Sequence, residues 1–262
     1  MARFDLTDFE WSVIQPLLPN KPRGVARVDD RRVLNGIFWR LRTGAPWADI
    51  PDRYGPHTTC VNRFNRWRRA GVWDRLLAAV SKAYNGDIQM IDSSSIRVHQ
   101  HAANGKKATR SRCMGRSRGG LTTKIHASGL FTAPMVDACG LPILLKLTEG
   151  QANDGRSAQD MLGTVQCGDV LLGDAAYDSN ALHDTLAARG ARANVKPMPN
   201  RLKPPPFDKP LYRRRNLVER FFNKLKHFRA VATRYDKRDD NYIASVKLAS
   251  IRIWMRFNES VT

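Results

Sequence analysis

Apolar residues recur at every third or fourth position as far as Tyr84 and gather into short unbroken runs from Gly86 onward. This change of period predicts a helical segment over residues 1–85 and a mixed α/β segment over 86–262. In the first segment Thr7 and Glu10 have the spacing of a capping box, with Leu6 and Trp11 placed as its hydrophobic staple. The helix they open is expected to end near Pro16. A second helix follows Asp29 and Asp30, lines up Val33, Leu34, Ile37, Phe38 and Leu41 on one face, and stops at Gly44 before Pro46. A third, after Thr58, sets Val61, Phe64 and Trp67 against a polar side of Asn62, Arg63, Arg66, Arg68 and Arg69, and breaks at Gly71. A fourth runs from Val72 to Tyr84 through Leu76, Leu77 and Val80. A small helical domain with one basic, amphipathic helix is compatible with a helix-turn-helix unit reading the major groove of DNA.

The second segment predicts strands near 88–92, 121–127, 141–147, 169–173 and 191–196, with helices over 154–165, 179–189, 214–229 and 241–257. Between the second and third strands, SGLFTAP (128–134) contains Gly129 and Pro134, which are expected to interrupt any ladder there.

Three carboxylates stand out against this framework. The runs IQMID (88–92) and VLLGD (170–174) each put an Asp directly after an apolar stretch, as buried parallel strands do at the carboxyl edge of a sheet. Ligand sites lie at that edge, although an Asp there is more often a turn or cap residue. Residues 212–226, YRRRNLVERFFNKLK, bring Tyr212, Arg215, Glu219 and Lys226 within an arc of roughly 60° if helical. Leu217, Val218, Phe221, Leu225 and Phe228 form the opposite, buried stripe. Glu219 is then available to bind a metal ion or to pair with Arg215. Asp92, Asp174 and Glu219 together could hold two divalent metals about 3.5 to 4 Å apart, the arrangement that serves in-line displacement at phosphate. Phosphodiester cleavage or transfer is the chemistry this suggests. Asp137, Asp154, Asp169 and Asp178 compete for these roles but sit at turn, cap or strand-flanking positions and take the structural reading.

Charge agrees. With 44 Lys and Arg against 24 Asp and Glu, a net charge of +20, the chain is expected to seek a polyanion, with nucleic acid the default. No apolar run of 18 residues, signal peptide or lipidation motif supports a membrane partner, so a cytoplasmic protein is expected. Cys60, Cys113, Cys139 and Cys167 are widely spaced, which argues against a zinc knuckle or disulfide framework, and the pair His99 and His101 reads as ordinary alternation. Between Asp92 and Asp137 lie 44 residues with no acid and eight bases, among them Lys106, Lys107, Arg110 and Arg112. The glycine-rich middle of this stretch predicts a basic loop (99–120) that orders on phosphates. A second segment, NVKPMPNRLKPPPFDKPLYRRR, is stiffened by prolines and leads into the Glu219 helix, where it is placed to guide a strand past the metals.

The spacing of Tyr212, Arg215, Glu219 and Lys226 resembles the signature helix of bacterial insertion-sequence DDE transposases. RNLVERFFNKLKHFRAVATRYDK (215–237), LLGDAAYDS (171–179) and IDSSSIRVH (91–99) further resemble the insertion-sequence-five branch, and the likeness extends from about Leu6 to Phe257. The resemblance implies an RNase H-like catalytic domain with a mixed sheet, preceded by a small all-α helix-turn-helix-like domain that binds terminal inverted repeats through residues such as Arg63, Arg66 and Arg68. It further implies two Mg²⁺ ions, replaceable by Mn²⁺, on Asp92, Asp174 and Glu219, with Tyr212, Arg215 and Lys226 on the phosphates beside the cut. Partners would be double-stranded DNA, as terminal repeats and target, and a second copy of the chain, because two element ends must be cut and joined. A site-specific nuclease or a catalytically silent DNA-binding regulator would share much of this sequence. A generic RNA-binding protein is disfavoured because no RNP or KH signature is present.

Overall fold

The computed structural model describes residues 4–19, 28–82, 87–104, 113–131 and 141–261. In chain order the elements begin with helices α1 (Asp8–Ile14), α2 (Asp30–Thr43), α3 (His57–Arg69) and α4 (Val72–Ser81). Strand β1 (Ile88–Val98), helix α5 (Gln100–Ala103), strands β2 (Gly115–Ser117), β3 (Gly120–Phe131) and β4 (Leu141–Glu149), and helix α6 (Asp154–Gln159) follow. Then come β5 (Val170–Gly173), α7 (Asn180–Ala188), β6 (Arg192–Val195), α8 (Lys209–Tyr212) and α9 (Asn216–Lys226). The chain ends with α10 (Arg229–Ala232), β7 (Thr233–Arg234) and α11 (Asp239–Val261). It forms two compact units, one of Met1–Lys82, Val98–Ala108 and Lys224–Thr262, the other of Ala83–Arg97 and Thr109–Asn223.

The first unit is helical, and its local signals work as the sequence predicts. Thr7 Oγ1 accepts the Glu10 amide at 3.0 Å while Glu10 Oε2 accepts the Thr7 amide at 2.9 Å, which completes the capping box of α1. Glu10 is nonetheless fully buried, and its other oxygen lies 2.5 Å from Arg252 Nε on α11. Asp29 caps α2 by accepting the Arg31 amide, and Val33, Leu34, Ile37, Phe38 and Leu41 are all buried. Gly44 ends that helix in the left-handed region at φ 74°, so its amide turns back to the Arg40 carbonyl. In α3 and α4, Phe64, Trp67 and Trp73 interlock, the two indoles edge to face at 5.5 Å. The carboxy-terminal helix α11 packs on α1, α2, α3 and α4, and Tyr242, Val246, Leu248, Ile251 and Trp254 line its buried face.

The second unit is built on a mixed sheet. Strand β1 runs antiparallel to β3, β3 runs antiparallel to both β2 and β4, and on the other side β1 is parallel to β5 and β5 to β6. The order β4-β3-β1-β5-β6, three antiparallel strands followed by two parallel ones, is the RNase H-like arrangement. Ile91, Leu171, Val195 and Tyr177 pack with Leu182 and Leu186 of α7 and with Met161 and Leu162 to form the core beneath it.

Three expectations need correction here. Strand β1 does not stop at Asp92 but continues to Val98, because Ser93, Ser94, Ser95, Ile96 and Arg97 stay in ladder with β3 after the parallel pairing to β5 has ended at Met90. Nor does Gly129 interrupt the ladder: β3 runs through it, and a bulge between Ser128 and Gly129 absorbs the shift against β4. A Cβ on Gly129 would stand 2.3 Å from the Leu141 carbonyl oxygen, so only glycine permits that approach. The adjoining Pro134 lies outside the described residues. Finally, Tyr212 and Arg215 do not belong to the Glu219 helix: α8 ends at Tyr212, Arg213–Arg215 form a 3₁₀ turn, and α9 begins at Asn216. Among the described residues, no helix is long and apolar enough to cross a membrane.

Candidate active site

Parallel pairing brings two of the acids together. Ile88, Gln89 and Met90 face Val170, Leu171 and Leu172, and the same register carried two residues further sets Asp92 beside Asp174. Asp174 follows β5 directly and caps a 3₁₀ turn, accepting the Ala176 amide at 3.0 Å. Glu219, in the first turn of α9, joins them through a neighbour. Arg215 donates Nη1 to Asp92 Oδ2 at 2.8 Å and Nη2 to Glu219 Oε1 at 2.5 Å. Its guanidinium also lies 5.8 Å from the centre of the Tyr212 ring, which in turn packs on Phe207.

Burial pushes the Asp92 carboxyl up to about 6, with Asp174 and Glu219 adding to the rise and Arg215 and the Ser93 amide opposing it. Desolvation works against the Arg215 charge, but Asp92, Tyr212, Glu219 and Asp174 outweigh it and hold the guanidinium above its ordinary range. Arg215 thus bonds two of the three carboxylates and feels the charge of the third, Asp174.

Behind Asp92 lies a polar layer that the sequence reading missed. Ser93 Oγ donates to Asp154 Oδ1 at 3.2 Å, and Lys124 Nζ donates to the same oxygen at 3.0 Å and to the Ala152 carbonyl at 2.8 Å. The cap of α6 is Asn153, not Asp154, so the Asp154 side chain is turned instead toward Lys124 on β3. Tyr177 is buried beside this layer, and burial together with Asp154, Asp92 and Asp174 raises its phenol. A lysine standing among the Thr and Ile of a strand pattern was the one available hint. Of the other competing acids, Asp169 accepts the Gln166 amide and a Gln89 amide hydrogen, and Asp178 accepts the Met198 amide and Arg201, so both are structural. Asp137 lies outside the described residues.

The expected DNA contacts divide. Arg63 is buried, paired with Asp30 on α2 and stacked on Trp67 at 5.2 Å, so it faces the helical core and is not available to a groove. Arg68 is half-buried and paired with Asp240 on α11. Thr58, Asn62, Arg66 and Arg69, about one residue per turn, are exposed along α3; Asn62, Arg66 and Arg69 are on the side the sequence marks as polar, and Arg66 is the one of them expected to contact DNA. Lys226 is exposed at the end of α9 and lines a depression of about 540 Å³ with Phe4, Arg42, Thr43, His227 and Arg229. Lys106, Lys107, Arg110 and Arg112 lie outside the described residues. His99 uses Nδ1 to accept the His101 amide and stacks on Tyr235 at 4.6 Å, a structural role.

An RNase H-like sheet with one acid on its first strand, one after its first parallel neighbour and one on a following helix defines a nucleic-acid-processing class of fold. Residues 84–254 match the family described as "Transposase DDE domain", and residues 6–77 match "Putative transposase of IS4/5 family (DUF4096)". The chain belongs to the DDE transposases of insertion sequences. It is 37% identical over 137 residues, 52% of its length, to the whole of a protein from Brucella ovis named "Putative transposase for insertion sequence element IS6501". It is also 41% identical over 112 residues to the "Insertion element IS402 uncharacterized 16.2 kDa protein" of Burkholderia cepacia, which covers 37% of this chain and 76% of that one. Among solved structures, a piggyBac transposase synaptic complex with hairpin DNA is similar at a TM-score of 0.48 and 12% identity, covering 97% of this chain and 71% of the other.

Proposed function

We propose that this transposase binds the terminal inverted repeats of its own insertion sequence and catalyses metal-dependent cleavage and strand transfer, with Asp92, Asp174 and Glu219 as its catalytic acids. The observation that carries the reading is the adjacency of Asp92 and Asp174 across parallel strands, with Glu219 tied to Asp92 by Arg215.

Three carboxylates offer only hard oxygen donors, which suits Mg²⁺ or Mn²⁺, and Arg215 already stands between two of them as a cation would. Among the described residues no three such side chains close on one point, so loading requires Arg215 to withdraw. Asp92, Asp174 and Glu219 would hold two ions, whose chemistry is to lower the pKa of the attacking water or 3′-hydroxyl and to neutralise the departing oxygen. Released from the acids, Arg215 has the fork geometry to take a phosphate in two hydrogen bonds, with Tyr212 alongside and Lys226 further down the helix. The exposed face of α3, with Asn62, Arg66 and Arg69, would read the repeats in the major groove. Two ends must be joined, so a homodimer on DNA is expected, acting on bacterial DNA in the cytoplasm.

The test is incubation of the full chain with duplexes carrying the inverted repeats that flank its own gene, in Mg²⁺ or Mn²⁺, followed by mapping of nicks and of joined products. Cuts at the element boundary followed by joining support the reading. Cut ends that never join indicate a nuclease, and boundary binding without cuts in either metal indicates a silent regulator.

A further inference from the structure

Between β6 and α8 the chain makes a proline-rich loop that is fixed at its base and at its tip. At the base, Asn194 Nδ2 donates to the Asp208 carbonyl at 3.0 Å and the Asp208 amide donates back to Asn194 Oδ1 at 2.8 Å. Near the tip, the buried Asp178 accepts the Met198 amide at 2.9 Å and Arg201 Nη1 at 2.6 Å, while Arg201 Nη2 reaches Asn180 Oδ1 at 2.5 Å. Arg201 Nε then reaches over the intervening residue to the Lys203 carbonyl at 3.3 Å. Pro204, Pro205 and Pro206 follow and stiffen the return.

The residue these bonds hold in place is Leu202, whose side chain is 98% exposed. Of the four large apolar residues that stand exposed among the described ones, two, Met198 and Leu202, belong to this loop. A slack loop would fold such a side chain back; this one is held out by its own hydrogen bonds, so the ordering cost of binding has already been met in folding. Lys196, Lys203 and Lys209 are exposed on the same segment, with Asp208 as its lone acid, so an anionic partner fits its charge. The loop also starts at the candidate site: the Lys196 amide bonds to the Gly173 carbonyl, one residue before Asp174, and α8 leads from the other end toward Arg215 and Glu219.

An apolar wedge flanked by cations on a rigid support is the device that proteins insert between base steps to unstack a duplex. We propose that Leu202 enters a base step of the DNA held at the candidate active site while Lys196, Lys203 and Lys209 hold the flanking phosphates. This rests on the proposed reaction, since it needs a duplex end at that place.

The test uses the full chain and duplexes carrying its own element end, with 2-aminopurine placed in turn at each position around the cut, in EDTA. Wild-type protein is expected to raise the fluorescence about threefold or more at one position, and L202S to abolish that rise while changing affinity less than about threefold. L202F keeps the rise. In Mg²⁺, L202S is expected to cut the paired end about tenfold more slowly and to recover on an end mismatched at that step, a rescue that a damaged fold would not give. Cleavage by wild type with no fluorescence rise at any position overturns the wedge alone, as does an L202S protein equal to wild type on both ends. A change of mass in solution on L202S without DNA overturns it in favour of a contact between protein copies. No cleavage by wild type at all overturns the proposed reaction and the wedge with it.

Discussion

Arg215 lies 2.8 Å from Asp92, and its second nitrogen holds Glu219, so the first and last of the candidate acids meet through a cation instead of directly. Replacing Arg215 by Ala should therefore tighten Mn²⁺ binding by about threefold or more, since a competing charge is removed, while cleavage falls about 100-fold for want of a phosphate clamp. Electron paramagnetic resonance of Mn²⁺ measures the first and nick mapping the second. Weaker Mn²⁺ binding in the variant would show that Arg215 assembles the site instead of blocking it.

Asp92→Asn, Asp174→Asn and Glu219→Gln remove charge with little change of shape. Each is expected to lower cleavage at least about 1,000-fold and to leave affinity for terminal repeats within about threefold, because their effect belongs to the chemical step. Gel-shift and cleavage assays run on the same preparations check this. Parallel loss of binding and cleavage in all three would contradict the assignment.

Two arginines three residues apart, about 4.5 Å in helical rise, should behave oppositely. Arg66→Ala, on the open face of α3, is predicted to weaken DNA binding and reduce its salt dependence with unchanged stability. Arg63→Ala breaks the buried ion pair with Asp30 and should cost about 3 kcal/mol of stability in urea unfolding. If Arg63→Ala were as stable as wild type and selectively deficient in binding, the recognition face would have to be redrawn.

The buried pair of Glu10 and Arg252 joins the first helix to the last within the helical unit. Glu10→Ala leaves the buried Arg252 charge to the Phe4 and Asp5 carbonyls, which it reaches at 3.2 and 2.7 Å, and should destabilise by about 3 kcal/mol, whereas replacing both by Leu and Met recovers most of the loss. Denaturant unfolding of the single and double variants separates these outcomes; equal stability of the single variant and wild type would rule out the pair as a support.

His126 is buried and shares a 2.7 Å hydrogen bond between Nε2 and Thr148 Oγ1. Burial brings its imidazole down to about 4 from the ordinary 6.5, with Asp154 pulling the other way. The unfolded chain thus takes up a proton that the folded chain refuses, and the stability involved is fully present above 6.5 and lost as pH falls toward 4. The loss approaches about 3 kcal/mol, so unfolding midpoints should drop between about pH 7 and 5, and less so in His126→Gln. A variant with an undiminished slope would assign the pH dependence elsewhere.

Local signals were legible because they are written in neighbouring residues. Asp29, the stripe from Val33 to Leu41 and Gly44 fix α2 almost to the residue, and the apolar runs before Asp92 and Asp174 locate two adjacent strands. What could not be read depends on distant partners. Ser93 to Ser95 look like a turn, and only the facing strand β3 keeps them extended. Nothing around Arg63 announces Asp30, some thirty residues earlier, and nothing near Arg215 says that its other nitrogen will find Asp92. Leu202 likewise reads as a loop residue until Asp178 and Asn194 are seen to lock the loop around it.

The bonding of β1 on both sides of Asp92 has a consequence for how the acids can converge. Asp92 is fastened in mid-ladder opposite Ala127, whereas Asp174 stands on a short turn and Glu219 is half exposed on a helix preceded by a 3₁₀ turn. One acid is an anchor and the other two have slack, so any closing of the trio must be travel toward strand β1.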